Sequence, residues 1–164
     1  MSDTQYDVTQ TNTEELKEYL TLVVADQLFG IPVLQIQDVL GEQKVTKVPL
    51  ARPEIAGSLN LRGRIVTAIN LRTYLGIEKQ KDNKHMSIVV EHGDDLYSLM
   101  VDRVGDVMAL PAKNLEKNPG TLGANLREVS AGIYRLEDQL LVILDVSSLM
   151  SNLIIEDKAN LSMA

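Results

Sequence analysis

Two stretches of this chain repeat each other. "GIPVLQIQDVL", beginning at Gly30, lies over "SLMVDRVGDVM", beginning at Ser98, at a spacing of 68 residues. In that frame Val33 meets Val101, Ile36 meets Val104, and the pair Asp38-Val39 meets an identical Asp106-Val107. Further on, "IVTAINL" from Ile65 meets "LLVILDV" from Leu140 at a spacing of 75, and Leu75 meets Met150. The growth of seven residues falls in "AKNLEKNPGTLGANLREVS", where Asn118-Pro119-Gly120 is turn chemistry, so the second copy carries a longer loop. A period this long, present only twice, does not build a solenoid. It points to two related small β units packed together with a groove between them.

The local pattern agrees with β structure, since the dominant period is two. "YLTLVVAD" sets Leu20, Leu22 and Val24 on one face and Tyr19, Thr21 and Val23 on the other. "LFGIPVLQIQDVL" carries Pro32, which lacks a ladder donor. The segment is therefore an edge strand or breaks there, with Val33 to Leu40 free to turn helical. "SIVVEHGDDLYSLMVDRVGDVMAL" reads as two strands around a His-Gly-Asp-Asp turn, and "LLVILDV" as a strand covered on both faces. Short helices are expected at "LRTYLG", closed by Gly76, and at "VSSLMSNLII". With 45% apolar residues in a chain of 164, one domain spanning 15–155 is expected, with residues 1–14 and 156–164 as flexible tails. The charged stretch 78–85, "EKQKDNKH", reads as a connector between the halves.

Each copy then enters a hairpin. "LNLRGRIV" bends at Arg62-Gly63, where Gly63 supplies the positive φ of a tight turn, and "YRLEDQLLV" bends at Glu137-Asp138-Gln139. Arg62 is thus a solvent-facing tip residue. It is either an ordinary charged turn residue or a planar, permanently charged fork placed to grip a partner's carboxylates or helix-end carbonyls. Spacing alone does not choose.

Catalytic chemistry finds no seat in this pattern. The chain has no cysteine, which removes disulfides, thiolate metal sites and thiol nucleophiles together. His85 and His92 stand seven apart without helical ligand spacing, so no zinc site is expected. Asp94-Asp95 lacks the alternating oxygen ligands of a calcium loop, and no glycine-rich phosphate cradle is present. No cofactor is expected. A formal charge of −7 opposes a phosphate-tracking surface, so nucleic acid is not an expected partner. The N-terminus is polar and acidic, unlike a signal peptide, and no apolar run approaches ~18 residues, so a soluble intracellular protein without membrane insertion is expected. Met86, Met100, Met108 and Met150 read mostly as core filling rather than as an adaptable binding stripe.

The strings "EYLTLVVADQLFGIPVLQIQDVLG", "VTKVPLARPEIAGSLNLRGRIVTAINLRTYLG", "LMVDRVGDVMAL" and "LVILDVSSLM" resemble the CheW family of chemotaxis coupling proteins, over roughly residues 18 to 150. The most specific part is Asn60 to Val66 followed by Asn70-Leu71-Arg72, with Gly57 at the family's spacing. Thr67 stands where the family usually has proline, Asn70 where it often has aspartate, and Asp38 where glutamate is commoner. The resemblance implies a mainly β fold of two interleaved, SH3-like five-stranded barrels around a shared apolar core. It implies no enzymatic activity. It further implies a cytoplasmic adaptor, monomeric in isolation and recruited to receptor arrays, that couples methyl-accepting chemoreceptors to the histidine kinase CheA through its regulatory domain. The same module serving a non-flagellar pathway, such as type IV pilus motility, is the alternative.

Carried over by position, Leu20, Val33 and Ile36 match the kinase-docking face. Asp38, Gly57, Asn60, Arg62 and Val104 match positions for receptor coupling. The residues themselves leave more than one reading open. Val33 and Ile36, beside Pro32, form either an exposed apolar patch or core. Asp38 is a partner-facing charge, a helix cap or a solvated side chain. Gly57 permits a close backbone approach or is a plain loop glycine.

Overall fold

A computed structural model describes residues 15–77 and 84–153. The expected tails and residues 78–83 of the connector lie outside the described residues. Among the described residues ten strands carry the fold: β1 (Leu16–Val24), β2 (Gln27–Pro32), β3 (Ile36–Leu40), β4 (Ile55–Leu61), β5 (Arg64–Asn70), β6 (Met86–His92), β7 (Asp95–Val101), β8 (Arg103–Pro111), β9 (Ser130–Arg135) and β10 (Leu140–Leu144). Between them lie two short helices, α1 (Leu71–Tyr74) and α2 (Ala124–Val129), and residues 146–153 form a third, α3.

The strands form two five-stranded sheets, the first in the order β8-β1-β2-β10-β9 and the second in the order β3-β6-β7-β5-β4. Laid on the repeat, both have one order: third, first, second, fifth, fourth. Each sheet takes its first and second strands from one copy and the other three from the other copy. The parallel pairs β2·β10 and β5·β7 are the seams of that exchange. Each sheet also curls. The segment leaving β3 returns to β4 through Thr46 and Ser58, which exchange two backbone hydrogen bonds of 2.8 Å, and the segment leaving β8 returns to β9 through Glu116 and Ile133 at 2.8 and 2.9 Å. These stitches join the two edges of each strand order, as in a small barrel.

Alternation along the strands sorts side chains into three apolar groups. Leu20, Leu22, Val24, Ile31 and Val142 of the first sheet meet Ile69, Ile88, Val90, Leu99 and Val101 of the second in one shared core, closed by Leu71, Leu149 and Met150 of the helices. The opposite faces fill each sheet's own interior: Tyr19, Tyr134, Leu141 and Ile143 in the first, and Leu59, Val66 and Ala68 in the second. In the first interior the tyrosine rings meet edge to face at 5.5 Å with their hydroxyls 3.2 Å apart. Burial, followed by the neighbouring Tyr19 hydroxyl, pushes the Tyr134 phenol well above the ordinary tyrosine range. "LLVILDV" is a strand covered on both faces, because it lies between β2 and β9 with a core on either side.

Backbone devices recur at matched positions. Gly57 (φ 150) and Gly132 (φ 147) sit under the stitches, where an added Cβ would lie 2.1 Å from the Thr46 carbonyl oxygen or 2.6 Å from that of Glu116. Asn70 accepts from the Thr73 N–H to open α1, and Asp145 accepts from the Ser148 N–H to open α3.

Three local expectations need correction. After Pro32 the chain does not turn α-helical through Leu40: it makes one 3-10 turn, Val33–Gln35, and enters β3 of the other sheet. "SIVVEHGDDLYSLMVDRVGDVMAL" contains three strands rather than two, because Asp102 breaks the second run as the chain passes between sheets. The longer loop of the second copy holds α2, which has no side-chain cap to announce it.

Candidate functional site

The β4–β5 hairpin turns on Arg62 (φ 52) and Gly63 (φ 85), a two-residue turn with both central residues in left-handed backbone. The Asn60 side-chain oxygen accepts from the Gly63 N–H at 3.0 Å and braces the tip. Arginine has no intrinsic preference for positive φ, so its place there needs a tertiary reason. Its guanidinium supplies one: Nη2 donates to Asp38 Oδ2 at 3.1 Å. Arg64, two residues on, donates to the Asp94 carbonyl in the β6–β7 turn at 3.2 Å. The pairing is legible only in the folded chain, since Asp38 lies on β3 and Arg62 beside β4, at opposite ends of the strand order.

Asp38, Asn60 and Arg62 therefore form one polar patch, and they do so asymmetrically. The Arg62 side chain keeps 79% of its surface in solvent while that of Asp38 keeps 26%, so the fork is tethered at one edge and open at the rest. An exposed pair of this kind contributes about 0–1 kcal/mol to folding. Its remaining donors face outward, suited to carboxylates or helix-end carbonyls. Ile65, 77% exposed, stands next to Arg64 and adds an apolar contact beside the charge. The matched hairpin of the first sheet presents Glu137 and Asp138, both exposed, with Asp106 at the place of Asp38. The two tips thus carry opposite charge and turn differently, since neither Glu137 nor Asp138 takes the left-handed backbone of Arg62 and Gly63.

The other expected residues fall elsewhere. Val33 and Ile36 are half-buried, with Ile36 packed on the shared core, so neither forms a fully exposed patch. Between them Leu34 is 96% exposed and was not singled out from the sequence. Only the folded 3-10 turn shows it, since three residues per turn place Val33 and Ile36 on one side and Leu34 on the other. Leu20 is only 8% exposed, because its β1 position points into the shared core, so it supports the surface from beneath. Gly57 is buried, and the close approach it permits is internal, to Thr46. Val104 lies on β8 of the first sheet, near the β1 residue Leu22 in register, and packs against the core as Ile36 does from β3.

Among the described residues no group of three or more His, Cys, Asp or Glu side chains is arranged to hold a metal, and no helix is long and apolar enough to cross a membrane. An open, mainly apolar groove of about 430 Å³ runs where Gln27 and Phe29 of β2 meet Leu75 and Ile77 beyond α1 and Ala124 and Leu126 of α2.

Comparison with known proteins agrees with this architecture. The chain is 28% identical over 142 residues to the Chemotaxis protein CheW of Helicobacter pylori, covering 86% of each protein. It is 29% identical over 117 residues to Protein PilI of Pseudomonas aeruginosa, covering 71% of this chain and 66% of that protein. The crystal structure of the scaffolding protein TtCheW from Thermoanaerobacter tengcongensis superposes with a TM-score of 0.72 at 27% identity, over 79% of this chain and 89% of that one. The family model of the CheW-like domain matches residues 18–153, from β1 to the last described turn of α3. With two exchanged five-stranded sheets, an arginine-tipped hairpin and that match over most of its length, the chain belongs to the CheW-like domain family.

Proposed function

We propose that this protein is a non-enzymatic adaptor of chemotaxis signalling that binds the cytoplasmic tip of a methyl-accepting chemoreceptor and the regulatory domain of the histidine kinase CheA. The observation that carries this reading is the family match across residues 18–153, together with a hairpin tip whose cation is only partly used inside the fold. The adaptor works by geometry. Holding two partners on one rigid body turns their encounter into a local event, at an effective concentration set by the spacing of the two faces. Arg62, Asn60 and Asp38 form the centre of the receptor-facing surface, with Gly57 shaping the strand beneath and Val104 contributing from β8. Val33 and Ile36 border the kinase-facing surface, supported by Leu20. Charge at the first surface serves orientation and selectivity more than raw affinity. The protein acts in the cytoplasm, as a monomer until recruited to membrane-associated arrays.

The test is an NMR titration of the isotope-labelled protein with a receptor-tip fragment and, separately, with the kinase regulatory domain. Two distinct shift patterns are expected, one around Asp38 and Arg62 and the other around Val33 and Ile36. An intact spectrum that responds to neither partner overturns the proposal. The 29% identity to Protein PilI supports a second reading, the same adaptor in a different chemosensory pathway such as type IV pilus motility, with partners drawn from that pathway.

A further inference from the structure

Among the described residues the chain passes between the two sheets only twice, from β2 to β3 and from β7 to β8. The repeat relates these crossings, and they are built differently. At the second, the single residue Asp102 makes the passage. Its N–H donates to the Val23 carbonyl at 3.1 Å, and its Oδ2 accepts from the Ala25 N–H at 2.8 Å. The Arg72 guanidinium grips the same carboxylate at two points, Nε to Oδ1 at 2.8 Å and Nη2 to Oδ2 at 2.7 Å. Both side chains are mostly buried, at 17% and 10% exposure. One carboxylate thereby ties the β1–β2 turn of the first sheet to α1, which leaves the second sheet directly from β5. At the first crossing the chain makes the 3-10 turn Val33–Gln35, which has no side-chain cap and no buried residue. The residue in Asp102's place is the exposed Leu34, and the residue in Arg72's place is the exposed Ser147.

We infer that the Arg72–Asp102 pair is a one-sided latch that fixes the angle between the two barrels at the β7–β8 crossing and leaves the β2–β3 crossing, around Leu34, as the compliant end. A two-point Arg–carboxylate contact specifies direction as well as distance. Desolvation offsets much of the attraction in a mostly buried ion pair, so the role assigned to this one is geometric rather than a gain in net stability. The latch bears on function because the angle sets how Val104 of the first barrel stands to the Asp38–Arg62 patch of the second. Its test needs no partner, so it stands or falls apart from the adaptor reading.

The chain has no cysteine, so Asp94→Cys and Asp138→Cys place a spin-label pair on the exposed turns of the two barrels without competing thiols. Pulsed electron-electron distance measurements on that background are expected to give a narrow distribution for the parent and at least a twofold broader one for Asp102→Asn. Arg72→Lys keeps the charge and loses the two-point grip, and is expected to broaden it to an intermediate degree. Hydrogen exchange at the Ala25 and Asp102 amides is expected to quicken at least tenfold, with the Val66 and Leu141 amides inside each barrel unchanged. Leu34→Ser is expected to change neither reading. A parental distribution in a folded latch variant, broadening by Leu34→Ser, or failure of both latch variants to fold overturns the inference.

Discussion

Reversing and then exchanging the charges at Asp38 and Arg62 separates what the hairpin does for the fold from what it does for a partner. In Arg62→Glu the backbone stays as it is, because glutamate replaces one non-glycine residue at φ 52 with another. The 3.1 Å pair is lost and a like-charge contact with Asp38 replaces it. With the arginine side chain 79% exposed, the lost attraction is about 0.2–1 kcal/mol and the new repulsion is of similar size, so the cost is about 1 kcal/mol. Urea unfolding should show this as a modest fall in midpoint at constant slope. In 1 M salt, where the Debye length is about 3 Å, the difference should shrink. The exchanged variant, Asp38→Arg with Arg62→Glu, rebuilds the pair in reverse and should return to within about 0.5 kcal/mol of the parent. Binding should behave otherwise. An acidic partner surface sees glutamate at the tip in both variants, and each should bind the receptor-tip fragment at least tenfold more weakly, about 1.4 kcal/mol. If the exchange restores binding along with stability, the arginine serves only to hold the hairpin. If Arg62→Glu unfolds the protein, Arg62 belongs to the internal architecture and the reasoning fails.

Gly57→Ala and Gly132→Ala should each cost at least about 2 kcal/mol, read from urea midpoints, because the new methyl meets backbone rather than a movable side chain and φ is positive at both sites. Gly63→Ala, with open space around its Cβ position, should cost about 1 kcal/mol, and equal losses at the three sites would refute the stitch. Tyr134→Phe leaves the Tyr19 hydroxyl without its partner in a buried cluster and should destabilise by about 1–2 kcal/mol near neutral pH. The Tyr134 phenol is raised in the fold, so its contribution holds below the unfolded value near pH 10 and is lost as pH rises above it. The phenylalanine variant should therefore show a flatter alkaline stability profile than the parent. At Asp102 burial alone would raise the carboxyl, but hydrogen bonds from Arg72 and the Ala25 N–H, with the charges of Arg72 and Arg103, outweigh it and hold it below the usual range. That contribution is complete above the unfolded value near pH 4 and is lost as pH falls through the lower folded value, a loss that Asp102→Asn should remove from an acid-unfolding curve.

Much of this architecture was legible in the residues because it is local. Alternation located most of the strands but ran β7 and β8 together across Asp102, Pro32 marked the end of β2, and the hairpin tips followed from Arg62-Gly63 and Glu137-Asp138-Gln139. The repeat supplied two related units, but not the pairing β2·β10 or β5·β7, since nothing in one strand's pattern says which of two equivalent strands will lie beside it. The same limit hid the ion pair from Asp38 to Arg62. Each residue was singled out for its type and position, while their contact depends on the curl of a sheet between them. Leu34 and α2 were missed for a different reason. The first lies in a turn too short to show a period, and the second is six residues long with glycine at its N-cap.

The two halves of the folded chain agree or diverge according to what each position faces. What the copies share faces backbone: Gly57 and Gly132 under their stitches, Asn70 and Asp145 capping the helices that follow β5 and β10. Such positions admit few residue types, because a carbonyl 2–3 Å from a prospective Cβ or an orphan N–H at a helix start sets a condition no neighbour can relax. What differs faces solvent or the passage between sheets: Arg62 against Glu137, Asp102 against Leu34, Arg72 against Ser147. No buried carbonyl or helix start dictates the residue type at these positions, so each half was free to take its own charge and its own degree of restraint. Even the identical Asp-Val pairs diverge in use. Asp38 meets a cation from its hairpin, whereas the Asp106 backbone carbonyl accepts from the Thr21 hydroxyl and the equivalent turn is acidic. An adaptor that works by geometry draws on both features: matched frames that hold its surfaces in fixed relation, and surface positions left free to differ between the halves.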